Sequence, residues 1–196
     1  QSLAGRMPQL RFLHGNVTVG FCEVDSWQGP AGSSCHRCGR MLASSKLLYP
    51  VMEKDYESDP MIAATWKQFR LDLDDAFMVT VFGYGAPASD KAAVQLLHEA
   101  LESRPGRRLT QFEIIDTKSH DELWRSWKPF LKIHGYHYKI HADFYNSRLA
   151  KHPRRTGEAY LKQYIKGRWI SDNPIPRHLG LGDLYNWLEP LLRAED

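Results

Sequence analysis

The chain has 196 residues, of which 42% are hydrophobic and 25% are charged, close to the usage of ordinary globular proteins. This length suffices for one full core, or for a core with a small appendage, and argues against two equal domains. No apolar run approaches the roughly 18 residues that a membrane-spanning helix needs, and a formal net charge of +3 is too weak to require a polyanionic partner. We therefore expect a soluble globular protein with no membrane partner.

The N-terminal part of the chain predicts a strand followed by a cysteine-rich segment. Weak alternation of apolar residues favours a strand within residues 10–21. Cys22 comes directly after it, and loop composition over residues 28–34 separates this cysteine from Cys35 and Cys38. An odd number of cysteines, two of them in Cys-x-x-Cys spacing, suits a metal site in a reducing compartment better than a disulfide framework.

The middle of the chain predicts a βαβ unit. Apolar spacing favours a helix over residues 61–76. A strand over residues 78–82, a helix over 91–101 and a second strand over 112–116 then follow. A strand, a crossover helix and a strand in this order form one right-handed unit of a parallel sheet.

The glycine-rich turn after the first of these strands is a candidate ligand-binding element. Gly83 and Gly85 allow backbone conformations that other residues avoid, Tyr84 lies between them, and Ser89 can cap the following helix. Asp116 ends the second strand, and the ligands of such sheets sit beyond the carboxyl ends of the strands. The alternative is a plain strand-to-helix connection in which the glycines serve the backbone geometry only.

The C-terminal third of the chain is expected to be mainly helical. The periodicity predicts helices over residues 120–134, 142–149, 157–166 and 181–193. Residues 151–169 interleave basic and aromatic side chains, a pattern that can follow a phosphate backbone. A solvated helix face is the commoner meaning of such a pattern, so a nucleic-acid partner is not expected. An interface with a partner chain or with the missing N-terminal half ranks above nucleic acid.

Together these motifs resemble the second half of a sirtuin-like domain, the Rossmann-type family that consumes NAD. His14-Gly15 is similar to the His-Gly element of the family, and Cys22 with Cys35-x-x-Cys38 resembles its zinc ribbon. The turn Phe82-Gly83-Tyr84-Gly85 falls where the family has a Gly-Thr-Ser turn. The likeness is strongest to divergent bacterial members of the family and covers about residues 10–120.

This resemblance implies an α/β fold with a Rossmann-like parallel sheet, flanking helices and a small zinc-ribbon-like insertion at residues 22–40. Residues 1–196 would form a single domain fragment, with a helical extension over residues 120–196. The glycine-rich first βα turn that cradles the NAD pyrophosphate in the family is missing from these residues. We therefore expect a further N-terminal half, or a partner chain, to complete the NAD site.

The resemblance also implies roles for individual residues. His14 would act as the catalytic base on the NAD ribose, and Asn16 would orient a hydroxyl group. The implied cofactor-binding residues are Gly83, Tyr84, Gly85, Ser89 and Asp116. For His14 the alternative is a histidine that is simply hydrogen-bonded at a strand edge.

For the metal, the family's first cysteine pair is Cys-x-x-Cys, and Asp25 stands where its second cysteine would be. The expected ligands are therefore Cys22, Cys35, Cys38 and Asp25, with His36 as the other candidate for the fourth position. Such a closed zinc site would stabilise the fold, because no position remains for a water. The alternative is a degenerate ribbon that binds no metal.

The function implied by the resemblance is NAD binding and hydrolysis of its nicotinamide glycosidic bond, in the cytoplasm. One alternative is a NAD-dependent protein deacylase, which is less favoured because the sequence contains no recognisable acyl-lysine groove. The other is a non-catalytic module that binds a protein or a nucleic acid. The enzymatic interpretation requires His14 and the turn after Phe82 to line one cleft at the edge of a single sheet.

Overall fold

The computed structural model describes residues 10–25, 27–44, 46–48, 56, 58–87, 90–102, 111–133 and 138–193. The chain divides into two compact units. The ribbon unit comprises Gln1–Ala76 and Ala86–Pro105, and the sheet unit comprises Phe77–Gly85 and Gly106–Asp196. No helix in the described part of the chain is both long enough and apolar enough to cross a bilayer.

The ribbon unit contains a small antiparallel sheet. In this sheet β1 (Val19–Cys22) lies between β2 (Trp27–Pro30) and β3 (Ala43–Ser44). A Cβ atom at Gly20, inside β1, would lie 2.7 Å from Leu42 Cβ, so only glycine fits without a shift of the backbone. The predicted strand is confirmed at its C-terminal end, while β2 extends into the segment expected to be a loop.

The described part of the ribbon unit also contains two helices, close to their predicted bounds. They are α1 (Pro60–Asp75) and α2 (Lys91–Glu102). Asp59 caps α1, because its carboxylate accepts the N–H of Met61 at 3.0 Å and that of Ile62 at 3.1 Å. The core between the helices is built on the buried residues Tyr56, Ile62, Trp66 and Ala93.

The sheet unit is built on three parallel strands. Their order is β4 (Met78–Phe82), β5 (Gln111–Ile115) and β6 (Tyr138–His141). β5 is the central strand and is buried along its whole length, as expected of a parallel strand with neighbours on both sides. β4 and β5 confirm the two predicted strands, whereas β6 is not among the predicted elements.

Different elements cover the two faces of the parallel sheet. On one face, α3 (His120–Ile133) places Trp124 on the Tyr138 ring, with the ring centroids 5.2 Å apart. On the other face, Phe144 from the C-terminal segment meets Phe82 edge to face at 5.9 Å. The chain is therefore an α/β protein with a parallel sheet and flanking helices, which confirms the fold class at this level.

The first part of the C-terminal segment is more broken than its periodicity predicts. In place of one helix over residues 142–149, a 3₁₀ turn at Phe144–Asn146 precedes α4 (Arg148–Lys151). The break arises because Asp143 and Ser147 each cap a separate turn, with a side-chain oxygen that accepts a backbone N–H.

The second part contains the remaining helices. In place of a regular helix over residues 157–166, α5 (Thr156–Tyr160) continues into a π-helical turn at Leu161–Ile165. The last predicted helix is confirmed by α6 (Leu181–Arg193), and α3 likewise agrees with its prediction although Pro129 lies inside it.

Candidate metal centre and predicted cofactor edge

Four potential metal ligands converge in the ribbon unit. One ligand atom from each of Cys22, Asp25, Cys35 and Cys38 lies within 4.8 Å of all the others. Cys22 ends β1, Asp25 lies in the turn between β1 and β2, and the other two come from the Cys-x-x-Cys turn. We call this group the metal knuckle.

The spacing of these atoms fits a tetrahedral zinc ion. With bonds of about 2.3 Å to sulfur and about 2.0 Å to oxygen, tetrahedral zinc places two sulfur ligands about 3.8 Å apart and a sulfur and an oxygen about 3.5 Å apart. The Sγ atoms of Cys22 and Cys38 are 3.5 Å apart. Asp25 Oδ2 lies 3.7 Å from Cys22 Sγ and 3.4 Å from Cys35 Sγ. The donor set therefore suits zinc in both chemistry and size.

Of the two candidates for the fourth position, the structure brings Asp25 to the cluster. The ring of His36 instead packs edge-on against Trp27, with the centroids 4.0 Å apart. His36 is thus engaged on the neighbouring strand and is not among the clustered ligands.

The chain around the Cys-x-x-Cys turn is held by its backbone. The N–H of Cys35 donates to the Arg40 carbonyl at 2.7 Å, and the N–H of Gly39 donates to the Cys35 carbonyl at 2.8 Å. Gly39 has a φ of +74°, a conformation that favours glycine. Cys35 is buried together with Cys22 and Leu42 in a small cluster of its own. These contacts preorganise the thiols before any metal binds.

The same contacts set the protonation of the metal knuckle. A hydrogen bond with the Asp25 backbone lowers the pKa of Cys22, whereas a hydrogen bond to the Asp25 carboxylate raises the pKa of Cys38 to about 12. The thiols of Cys38 and Cys35 in turn lower the pKa of Asp25. Shared protons stabilise the crowded acidic groups here, and a metal ion that binds must displace them.

His14 and Asn16 lie in the ribbon unit, ahead of β1. The ring of the half-buried His14 lies against the Tyr56 ring, with centroids 5.7 Å apart, and its carbonyl accepts the Leu48 N–H at 2.9 Å. The side-chain oxygen of Asn16 accepts hydrogen bonds from the N–H and the hydroxyl of Thr18 at 2.9 and 2.7 Å. These contacts orient His14 and shape the turn into β1, and the catalytic roles of both residues stay predictions.

The predicted cofactor residues of the sheet unit meet at one edge of the parallel sheet. The N–H of Gly83 donates to the Ile115 carbonyl at 2.9 Å, so the ends of β4 and β5 are adjacent. Gly83 has a φ of +70°, and a Cβ atom at Gly85 would clash with the Lys118 ammonium. Asp116 accepts the Lys118 N–H at 3.0 Å. The backbone conformation therefore favours glycine at position 83, whereas a side chain at position 85 would require only the flexible Lys118 side chain to move. Lys118 places a positive charge beside the turn.

The remaining predicted cofactor residues are Tyr84, which the structure describes, and Ser89, which it does not. Tyr84 lies edge-on to the Trp127 ring at 6.1 Å, which ties the turn to the core of the sheet unit. Ser89 lies outside the described residues.

The expectation of a single sheet is wrong. His14 precedes a strand of the antiparallel sheet, whereas the turn after Phe82 follows a strand of the parallel sheet. The two segments belong to different compact units. The short, glycine-containing strand β1 pairs with its own hairpin partner, because the local antiparallel connection is available within a few residues.

Comparison of the chain with protein-family models, with curated proteins and with solved structures gave no match. The sirtuin-like resemblance therefore depends on the motifs alone.

Sequence reasoning missed a second group of polar residues, on β5, β6 and α4. Glu113, His141 and Arg148 line a cavity in the sheet unit. One signal was available, since Glu113 interrupts the otherwise apolar run of β5. A charged residue inside a buried strand requires polar partners, so Glu113 predicts a polar group of residues beside this strand.

Proposed function

We propose that this chain is the zinc-stabilised part of a sirtuin-like enzyme that hydrolyses the nicotinamide glycosidic bond of NAD. The observation that carries the proposal is the convergence of Cys22, Asp25, Cys35 and Cys38, whose ligand atoms all lie within 4.8 Å of one another. The order of the motifs also supports it, because the His14-Gly15 element precedes this set as the resemblance implies.

The zinc ion would have a structural role. Three thiolates and one carboxylate fill four coordination positions, so no open position remains for a substrate or a water. Bound zinc would join the β1–β2 turn to the Cys-x-x-Cys turn and so hold the segment that follows His14. This is the chemistry that the metal supplies, and it takes no part in bond cleavage.

In the proposed reaction, water replaces nicotinamide at the anomeric carbon of the ribose. The bond between that carbon and the nicotinamide nitrogen breaks, a bond to the water oxygen forms, and one proton is released. His14 would accept a proton from a ribose hydroxyl. The glycine turn at residues 83–85 and Asp116 adjoin the other sheet, so the proposal assigns the proton transfer to His14 and does not place these residues in the same site.

The test is to incubate the full-length protein, including the expected N-terminal half or partner chain, with NAD and to follow nicotinamide release by chromatography. His14→Ala should lower the rate by roughly 100-fold to 10,000-fold, as expected for the loss of a general base. His120→Ala is the matched control, because His120 is exposed at the start of α3.

Two outcomes would overturn the hydrolase proposal. Equal inertness of the wild-type protein and His14→Ala would favour the non-catalytic module. Nicotinamide release that depends on an added acetyl-lysine peptide would instead identify a deacylase.

A further inference from the structure

The sheet unit contains a cavity of about 220 Å³ on the face of the parallel sheet opposite α3. Its floor is Glu113 on β5, flanked by Lys139 and His141 on β6. The C-terminal segment forms the walls, and Trp169, whose surface is 82% exposed, also lines it. The predicted catalytic and cofactor residues described above do not contribute to this lining.

A buried cation without a carboxylate partner faces this cavity. Arg148 is only 6% exposed. Its guanidinium donates to Gln163 Oε1 at 2.6 Å and to the Tyr164 hydroxyl at 3.2 Å, and it lies 5.0 Å from the centre of the Tyr164 ring. All of these partners are neutral, and its Nε has no hydrogen-bond partner among the described residues. A buried charge normally has a counter-ion, so this arrangement is electrostatically incomplete.

Two lysines increase the positive charge of the cavity. Lys139 and Lys151 both line it, and neither forms an ion pair with any carboxylate in the described ranges. Together with Arg148 they place three cations around a space large enough for about seven water molecules.

The two carboxylates in the lining are already engaged. Both oxygens of Glu113 accept the backbone N–H of Arg148, at 3.1 and 3.0 Å, and one of them lies 3.6 Å from His141 Nε2. Asp172 lies 3.2 Å from His152 Nε2. The lining therefore holds three cations and two carboxylates, which leaves an excess of one positive charge.

We propose that this cavity is a binding site for a small phosphate-bearing ligand, either free phosphate or a phosphate monoester. A phosphate group carries one to two negative charges, accepts several hydrogen bonds and is held well by guanidinium and ammonium groups. Its charge matches the excess of cations. The remaining volume beside Trp169 has room for a small organic group of a monoester.

The experiment is isothermal titration calorimetry of the full chain in a chloride buffer. Inorganic phosphate and ribose 5-phosphate are the two probes, and acetate is the anion control. We expect binding of at least one phosphate probe and none of acetate at the same concentration. Tighter binding of the monoester would identify the organic group as part of the ligand, whereas equal binding would assign the site to free phosphate.

Variants locate the binding. Lys139→Gln combined with Lys151→Gln should weaken phosphate binding about tenfold or more, which corresponds to about 1.4 kcal/mol. Lys166→Gln, an exposed lysine of the same unit that does not line the cavity, should leave the affinity unchanged. Phosphate should also change the tryptophan fluorescence of the wild type, and Trp169→Phe should remove that change.

The proposal is overturned if neither phosphate probe binds at millimolar concentration, or if Lys166→Gln weakens binding as much as the double variant does.

Arg148→Gln provides an independent test, in which the melting temperatures of this variant and of the wild type are measured with and without phosphate. A stabilisation by phosphate that is equal in wild type and variant would contradict the assignment. His14→Ala should bind phosphate as the wild type does, so the result of this experiment does not depend on the NAD hydrolase proposal.

Discussion

The metal knuckle and the cavity of the sheet unit both bring ionisable side chains together, but they are built in opposite ways. The knuckle gathers acidic groups from residues 22–38, around a short hairpin and one turn. The cavity gathers cations from β6 and α4 around a strand-borne carboxylate. The first is a local arrangement that a spacing pattern specifies, and the second exists only once the strands have paired.

The two regions also differ in what stabilises the charges without a ligand. In the knuckle, protons shared between Asp25 and the thiols stabilise the acidic groups. The hydrogen bond to Asp25 accordingly raises the pKa of Cys38 to about 12. In the cavity, Arg148 is held by neutral hydrogen-bond acceptors and an aromatic ring. Loss of a knuckle ligand should therefore act through the metal, and loss of a cavity residue through the folded sheet unit itself.

The largest effect should come from Cys35→Ser. Cys35 is buried and its Sγ lies 3.4 Å from Asp25 Oδ2, so its loss removes one of four ligands and opens the small core with Leu42. We expect bound zinc, measured by mass spectrometry on the purified protein, to fall from about one ion per chain to near zero. The exposed neighbour Ser34 provides the control, since Ser34→Ala should keep the zinc. Retention of zinc by Cys35→Ser at wild-type affinity would show that the knuckle is not the metal site.

An intermediate effect is expected from Glu113→Gln. The carboxylate accepts the Arg148 N–H with both oxygens and faces His141, and a neutral amide cannot reproduce both interactions. The free energy of unfolding should fall by about 1.5–3 kcal/mol, the range for hydrogen bonds to charged groups. Urea denaturation measures this, with Glu189→Gln as the control, because an exposed i,i+4 pair contributes at most about 0.5 kcal/mol. Equal effects of the two substitutions would mean that Glu113 has no special structural role.

Much of the secondary structure could be predicted from the sequence, because long helices and buried strands show clear periodicity. α1, α2, α3 and α6 agree with prediction to within about one residue at each end, as do β4 and β5. The short strand β6 escaped prediction because its four residues follow a helix without a strong apolar run. The helical spacing over residues 142–149 predicted one helix, because spacing does not reveal that the side chains of Asp143 and Ser147 each cap a new turn.

The candidate sites show the same limit. Cys-x-x-Cys spacing identified the knuckle, and Asp25 took the position expected of it, because all the ligands lie close together in the chain. Glu113 and His141 could not be paired by inspection, since they come from different strands and meet only through the parallel register of β5 and β6. The sequence could not show whether His14 and the glycine turn adjoin the same sheet, because strand pairing decides this, and in the structure they adjoin different sheets.

The smallest effect concerns His152, which lines the cavity and is 8% exposed. Burial lowers the pKa of His152 from its ordinary value of 6.5, the nearby cations Arg148, Lys151 and Arg155 lower it further, and Asp172 partly opposes them. The unfolded chain therefore takes up a proton near pH 6.5 that the folded chain does not, so the contribution of His152 to stability is present above pH 6.5 and is lost as the pH falls below it.

His152→Gln should therefore flatten the decline of stability between about pH 7 and pH 5, whereas the same change at the exposed His120 should not. The measurement is the melting temperature as a function of pH for the wild type and both variants. If the melting temperature of His152→Gln declines with falling pH as steeply as that of the wild type, the burial of His152 has no consequence for folding.

Inorganic phosphate should also flatten the pH dependence of the wild-type melting temperature, because an anion held beside His152 favours the imidazolium ion. If phosphate leaves that pH dependence unchanged, the positive charge of the cavity is not used for binding, and the contrast with the metal knuckle is one of structure alone.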